Sequence, residues 1–504
     1  MRGSSDTLWG PNFCSRHLMK IKPAVAALSF RLAISAAIAA QKDSSSKSAS
    51  FSKEVLNQAE WVRDHAADDN KAMEILESLT TEVGPRMAGT AGDARAVQWA
   101  QAKFKQLGFD KVWIEPVQFP TWQRGIEVAE ILAPFPQPVV ITALGNSIAT
   151  PEGGLQAEVV AFDSLEQMQS ANPSRIKDKI VFINRKMTAH RDGHDYGPTV
   201  SARGAGPVEA AKMGAVGLII RSVGTDSDRL PHTGNSRYQD GVPKIPAAAL
   251  SIPDADLLAN MLARKQAVIF KMTLSSKPGP MYTSHNVIGE ITGKQKPEEY
   301  VLIGGHLDSW DLGTGAVDDG AGCAATMAAA EFLARNKMHL NRSVRVVLFA
   351  NEEQGLYGGN QYRDRHAKSA TKIIAAAEAD FGQGPVYKLS SRVKPESLPL
   401  VSQMQTVMAP LNIEVGDNNA SSGPDLIAMA QEGIAVFALH LDGTDYFDLH
   451  HTANDTFDKI EAARLNQTTA AFATFTFMAA NAPMGFGSGE SYLVERAKKG
   501  RTDD

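Results

Sequence analysis

The sequence predicts an α/β protein in which buried parallel strands carry polar chemistry at one edge of a sheet. Two observations lead there. The short β-branched runs Val301-Leu302-Ile303 and Val344-Arg345-Val346-Val347-Leu348-Phe349 pass directly into glycine or alanine, the pattern of strands covered on both faces. Residue types that carry charge or bind metal follow at once: Gly304-Gly305-His306-Leu307-Asp308-Ser309-Trp310 after the first run, then Asp318-Asp319-Gly320, and Asn351-Glu352-Glu353 after the second. In open α/β sheets ligands bind at the carboxyl edge of the strands.

The elements follow in chain order. Met19-Lys20-Ile21-Lys22, a largely apolar stretch over 24–40 and Ala37-Ile38-Ala39 read as a secretory signal, although Arg31 interrupts the apolar core. Met19 is then the expected initiator, Ala40 the expected mature start, and the expected location is secreted or periplasmic. The apolar stretch is too short and too interrupted for a transmembrane span. Residues 42–52 are Lys/Ser-rich, so residues 1–50 are read as signal peptide and flexible lead. The spacing predicts a helix over 70–81, a turn-rich loop around Val83-Gly84-Pro85-Arg86 and Gly89-Thr90-Ala91-Gly92, a helix over 94–107 ended by Gly108, and a strand over 111–115.

Near Trp122-Gln123-Arg124-Gly125 the texture changes. From 127 to 276 the chain has short β-type runs over 157–162, 179–183 and 216–220, a helix near 206–212, and frequent Gly and Pro. Motif-bearing sequence resumes only at His285. The expected organisation is therefore a discontinuous main domain, 51–126 and 277–484, interrupted by a β-rich insert over 127–276. Residues 321–334 predict a helix. The runs over 373–377 and 435–439 predict strands leading to Asp380 and to His450-His451. Residues 485–504, with Gly485, Gly487 and Gly489 and a charged end, are read as a flexible tail.

Composition excludes little but does exclude some classes. A hydrophobic fraction of 43% and a charged fraction of 21% are those of a globular protein. A net charge of −5 leaves no basic footprint for nucleic acid. Of the two cysteines, Cys14 precedes the expected mature start and Cys323 sits in the small-residue helix, so no internal disulfide forms. Cys323 reads as a small buried residue rather than a nucleophile.

Five residues of metal-ligand type fall at strand or loop ends: His306, Asp318, Glu353, Asp380 and His451. Imidazole and carboxylate without thiolate suit zinc at catalytic sites. Three carboxylates supply roughly three negative charges against about four positive charges on two divalent ions, a surplus that favours bound hydroxide. With Asp318 bridging, the ions would stand about 3.5–4 Å apart. Asp308 lies two residues after His306, on the same face if the strand continues, where it could hold the ring nitrogen that does not bind metal. Glu352, beside Glu353 but pointing elsewhere, is the candidate general base and later acid. Taken singly, each feature has a plainer reading: a Glu pair is ordinarily a solvated turn, His-x-Asp an ordinary hydrogen-bonded pair, and Asp318-Asp319-Gly320 a helix N-cap. Those readings do not account for five such features in one order at strand ends.

The segments His285-Asn286-Val287-Ile288-Gly289-Glu290-Ile291-Thr292-Gly293, Gly305-His306-Leu307-Asp308-Ser309-Trp310-Asp311, Val317-Asp318-Asp319-Gly320, Glu352-Glu353-Gln354-Gly355, Glu378-Ala379-Asp380 and His450-His451-Thr452 resemble the co-catalytic two-zinc exopeptidases, most closely their carboxypeptidase Q-like branch, over roughly residues 68–480. The resemblance implies a three-layer α/β/α sandwich with an inserted β-rich protease-associated domain. It implies two Zn²⁺ per chain, with His306 and Asp380 on one, Glu353 and His451 on the other, and Asp318 bridging. His451 is preferred to His450 because the family's ligand directly precedes the Thr/Ser that leads to a downstream Asp-Thr. In a related branch a tyrosine before that histidine stabilises the tetrahedral intermediate, and His450 is expected to take its part. The implied reaction is hydrolysis of dipeptides, or of N-terminal residues of short peptides, by zinc-bound hydroxide with Glu352 as general base. The implied partners are short peptides, with no nucleic acid and no membrane beyond the signal peptide. The resemblance leaves room for a homodimer. A non-catalytic binding module and a single-zinc aminoacyl cyclase are the rival readings, and the complete ligand set speaks against both.

Overall fold

The first sheet is built around four parallel strands, in the order Arg342–Phe349, Lys296–His306, Ile373–Glu378, Val436–Leu441. Outside them Lys277–Ile291 and Lys111–Gln123 pair antiparallel on one flank, and Val386–Arg392 on the other with the short Glu414–Val415 beyond it. The structure, a computed structural model, describes residues 49–487. The expected signal peptide and nearly all of the expected tail lie outside the described residues.

Side chains of a strand alternate between faces, and both faces of this sheet are covered. Val301, Ile303, Val344, Val346 and Leu348 pack with Phe332 of helix Ala321–Arg335 and Phe472 of helix Ala462–Ala480. Leu302, Val347 and Phe349 pack on the other side with Tyr362 of helix Tyr357–His366 and Met429 of helix Ile427–Gln431. Helix Ala321–Arg335 is buried nearly all round. Its run of alanines combines high helix propensity with small volume, so it can lie close to the sheet.

The second sheet also has eight strands, ordered Gln137–Val139, Glu127–Ala133, Ile269–Leu274, Leu155–Phe162, Ile180–Ile183, Gly217–Arg221, Ala247–Leu250, Ile141–Ala143. All of them lie between Glu127 and Leu274. One of its two cores takes in Trp310 and Trp122, the first from the loop after His306. The second sheet thus packs directly on the loop that carries the first sheet's chemistry. No described helix is long and apolar enough to cross a membrane.

Several expectations about the chain ends need correction. Helix Lys53–Ala66 was not anticipated. It is capped by Ser52, whose Oγ accepts from the Val55 N–H at 3.2 Å, and Phe51 just before it is buried. The helix expected over 70–81 is Ala72–Ser78 followed by a π turn, Leu79–Val83. The helix expected over 94–107 begins at Ala91, because Thr90 caps it. The strand expected over 111–115 runs on to Gln123, because Lys277–Ile291 offers a partner along that whole length. At the other end Phe486 belongs to the core rather than to a tail: it is fully buried, edge-on to Phe437 at 5.0 Å.

Candidate metal centre

Three strand ends and two loops bring the expected residues to one place. His306 closes the Lys296–His306 strand, and Asp318 lies in the turn before helix Ala321–Arg335. Glu352 and Glu353 follow the Arg342–Phe349 strand, and Asp380 follows Ile373–Glu378. His450 and His451 follow the short helix Tyr446–Leu449. Asp318 stands between the histidines. Its Oδ1 is 3.1 Å from His306 Nε2 and its Oδ2 is 3.2 Å from His451 Nε2. Asp380 Oδ1 lies 3.7 Å from the same His306 nitrogen, and Glu353 Oε2 lies 3.0 Å from the same His451 nitrogen. His450 also comes close, with Nε2 3.7 Å from Asp318 Oδ2. Two groups of ligand atoms result, both containing Asp318: one with His306 and Asp380, the other with His450 and His451.

Asp308 does not act as its spacing predicts. The strand stops at His306, so the period of two stops there too. The Asp308 carbonyl oxygen, not its carboxylate, accepts from His306 Nδ1 at 3.0 Å, and the nearer carboxylate oxygen is 3.8 Å from that nitrogen. The carboxylate accepts instead from the backbone N–H groups of Glu352, at 3.0 Å, and Glu353, at 3.4 Å. It therefore ties the histidine loop to the glutamate loop.

The second histidine is oriented from further away. His451 Nδ1 donates to the Thr233 carbonyl at 3.2 Å, and the Thr233 N–H returns a bond to the His451 carbonyl at 3.1 Å. The carbonyl of His450 accepts from His232 Nδ1 at 2.7 Å, and His232 Nε2 meets Asp226 at 2.5 Å. An imidazole whose outer nitrogen is engaged presents the other one to a metal. Both histidines therefore aim Nε2 at Asp318.

Three supporting residues hold backbone groups of the site that the sequence reading did not assign to them. The Asp455 carboxylate accepts from the N–H groups of Val317, at 2.6 Å, and Asp318, at 3.2 Å. Its nearness to His450-His451-Thr452 was the available signal. The Asp319 carboxylate accepts from the His306 N–H at 3.1 Å and from the Gly322 N–H at 3.2 Å, in the first turn of the following helix. The capping reading and the ligand reading of the Asp pair are thus divided between two neighbours. Gly305 makes room for this, since a Cβ there would lie 2.1 Å from Asp319 Oδ2. Arg86, fully buried, donates to the carbonyls of Leu307, Thr314 and Gly315 at 2.5, 2.5 and 2.8 Å. It holds the loop between the histidine and the Asp pair.

Charge is heavily concentrated here. Burial pushes the Asp318 carboxyl up, but contacts with His306 and His451 outweigh it and hold it well below the usual carboxylate range. Burial lowers both ligand-type histidines, yet the carboxylates around them win. Asp318 and Asp380 raise His306 well above its ordinary value, and Glu353 and Asp318 raise His451 to about 9. His450 goes the other way, well below its ordinary value, through burial and the neighbouring His451 charge. Glu352 is pushed well above the usual range by burial and by the charges of Asp380, Glu353 and Asp425. Burial also raises Glu353.

The residues fit zinc. Asp318 Oδ2 and Glu353 Oε1 are buried without a well-aligned donor among the described residues, and an unsatisfied buried carboxylate oxygen is costly. A divalent cation on those oxygens removes the cost, and an all-nitrogen and oxygen donor set without thiolate is one that zinc accepts. A cleft of about 1040 Å³ opens onto the centre. Glu352, Glu353 and Asp380 line it from the first sheet, and Tyr196, Arg203 and Asn235 line it from the second.

A carboxylate shared between two histidine-carboxylate groups, at the carboxyl edge of a sheet covered on both faces, defines a metallo-exopeptidase. The chain belongs to peptidase family M28, a family of co-catalytic zinc exopeptidases, whose profile matches residues 286–476. It is 34% identical to carboxypeptidase Q of Mus musculus over 412 residues, covering 82% of this chain and 86% of that one. A crystal structure of a peptidase M28 precursor from Shewanella amazonensis SB2B superposes with a TM-score of 0.84 at 49% identity, covering 86% of this chain and 98% of that one. The zinc aminopeptidase BSAP of Bacillus subtilis shares the fold, with a TM-score of 0.56 at 21% identity over 79% of this chain and 93% of that one.

Proposed function

We propose that the chain is a two-zinc exopeptidase that hydrolyses dipeptides or releases N-terminal residues from short peptides. One observation carries the reading: the two oxygens of Asp318 address two different histidines, at 3.1 and 3.2 Å, with Glu353 3.0 Å from the second of them and Glu352 lining the same cleft. His306 and Asp380 would hold one ion and Glu353 and His451 the other, with Asp318 on both. Zinc bound there would polarise the scissile carbonyl and acidify water.

The remaining steps belong to the protein. Glu352 takes a proton from the attacking water and gives it to the leaving amine. Its backbone is fixed by the Asp308 carboxylate. His450, in the cleft wall, lends a hydrogen bond to the oxygen that gains charge. Residues 127–274 act as a protease-associated domain that walls the cleft and restricts it to short substrates. The site of action is outside the cytoplasm, in keeping with the signal-like start.

The test compares Xaa-Yaa dipeptides, their amidated forms and longer peptides as substrates, with zinc measured per chain. Turnover of dipeptides with two zinc ions per chain is expected. Two zinc ions without turnover of any peptide would favour a binding module, and one ion per chain would favour a single-metal enzyme.

A further inference from the structure

We propose that Tyr196, held by Arg203, donates a hydrogen bond to the oxyanion that forms on the scissile carbonyl. This rests on the exopeptidase reading above and adds a catalytic residue from the half of the chain that carries the second sheet.

Tyr196 opens helix Tyr196–Gly204 and lines the same cleft as Glu352, Glu353, Asp380 and His450. Its ring is stacked on Phe447 at 4.8 Å and stands edge-on to His450 at 5.4 Å. Packing on two sides fixes where the hydroxyl points. Arg203 Nη2 donates to the Tyr196 oxygen at 2.8 Å. A phenol that accepts from a guanidinium still has its own O–H to give, and no described residue accepts it. The other end of the same guanidinium, Nη1, lies 3.3 Å from the Thr233 carbonyl and 3.3 Å from His451 Nδ1. The phenol oxygen is therefore one guanidinium away from the ring expected to hold metal. Burial, with the nearby charges of Glu352 and Glu353, raises the phenol's pKa, so it remains a donor at neutral pH.

Arg203 occupies a place built for it. Gly234 has φ +132°, and a Cβ there would lie 2.3 Å from Arg203 Nη1. Arg203 is buried, and its Nε has no partner among the described residues. A buried cation with an unpaired N–H costs stability, so packing alone does not explain it. Fixing a phenol in the cleft does. Tyr196 would act beside His450, which lies flat on His451 at 3.5 Å and 20° and so approaches the oxygen from a different side.

In the step, water oxygen bonds to the carbonyl carbon while Glu352 takes the water's proton. The carbonyl π pair moves onto oxygen, where the Tyr196 O–H meets it without giving up its proton. On collapse the pair returns, the C–N bond breaks, and the proton on Glu352 goes to the amine.

The experiment uses the zinc-loaded full chain. Tyr196→Phe should lower kcat on a dipeptide by about 100-fold or more, the effect of losing one oxyanion donor, with KM and zinc content unchanged. Calorimetry should show a comparable loss of affinity for a phosphinic dipeptide, whose tetrahedral oxygen mimics the oxyanion, and no loss for the amino-acid product. Arg203→Lys keeps the charge but not the planar fork, and should give a smaller loss of the same kind. The proposal is overturned if Tyr196→Phe matches wild type in kcat and phosphinic affinity, or if only KM moves. A wild-type chain that cleaves no peptide would instead overturn the exopeptidase reading itself.

Discussion

Glu352→Gln separates proton transfer from metal binding. The substitution is nearly isosteric, and the Glu352 N–H that bonds the Asp308 carboxylate at 3.0 Å is part of the backbone and stays. Glu352 has no described side-chain contact with either ligand-type histidine, whereas its neighbour Glu353 sits 3.0 Å from His451 Nε2. The variant should therefore fold and load zinc as the parent does. What it loses is the group proposed to carry the proton from water to amine. General acid–base groups contribute at least about 100-fold, so kcat should fall by that factor or more, about 2.7 kcal/mol of barrier. KM should move little, because the loss is confined to the transition state. The assay is steady-state hydrolysis of a dipeptide with metal analysis on the same sample. An unchanged kcat would refute the role. Loss of zinc together with activity would show that Glu352 is the ligand and Glu353 the shuttle.

Asp318→Asn should lower zinc occupancy at both positions and His451→Ala at mainly one, read by metal analysis. Full occupancy in Asp318→Asn would place the bridge elsewhere. Asp308→Ala removes the acceptor of two backbone N–H groups, and should cost roughly 2–4 kcal/mol in chemical unfolding; no change in midpoint would contradict its tying role. His450→Ala should keep two zinc ions and lose kcat, while loss of one ion would make His450, not His451, the ligand. The metal-free chain should be less stable at pH 9 than at pH 6.5. The His451 pKa is raised from 6.5 to about 9, so its stabilisation, about 3 kcal/mol, is complete below 6.5 and lost as pH rises through 9. Urea unfolding in chelator should show this decline, and His451→Gln should flatten it.

What could be seen in the sequence is what local pattern determines. Buried parallel strands read as unbroken apolar runs, so the places where they stop could be found, and His306, Glu353 and Asp380 lie just there. What could not be seen depends on where a strand ends to the residue and on contacts between distant segments. Asp308 was expected to use its carboxylate because a strand was extended two residues too far. Asp455 and Arg86 act on backbone groups more than 100 positions away, and a single sequence carries no sign of such pairings. The run Asp318-Asp319-Gly320 allowed both a cap and a ligand, and only the positions of the oxygens divide the two between Asp319 and Asp318. Phe486 was read as tail because glycines flank it, yet one aromatic ring with a core partner outweighed them.

The two ligand-type histidines are oriented by different parts of the chain. For His306 the outer nitrogen is held by the carbonyl of its own loop, at Asp308. For His451 it is held by Thr233, from the half of the chain that forms the second sheet, and the preceding carbonyl is gripped by His232 from that same half. His451 also has φ 64°, a left-handed conformation that costs a non-glycine residue roughly 1 kcal/mol or more, so the turn needs outside support to persist. The two bonds with Thr233 and the one from His232 supply it. The outer nitrogen of His306 is thus engaged within the loops of the first sheet, whereas that of His451 is engaged by a loop between strands of the second. The second sheet is on this account more than a wall around the cleft, because it sets the geometry of one of the two rings that face Asp318.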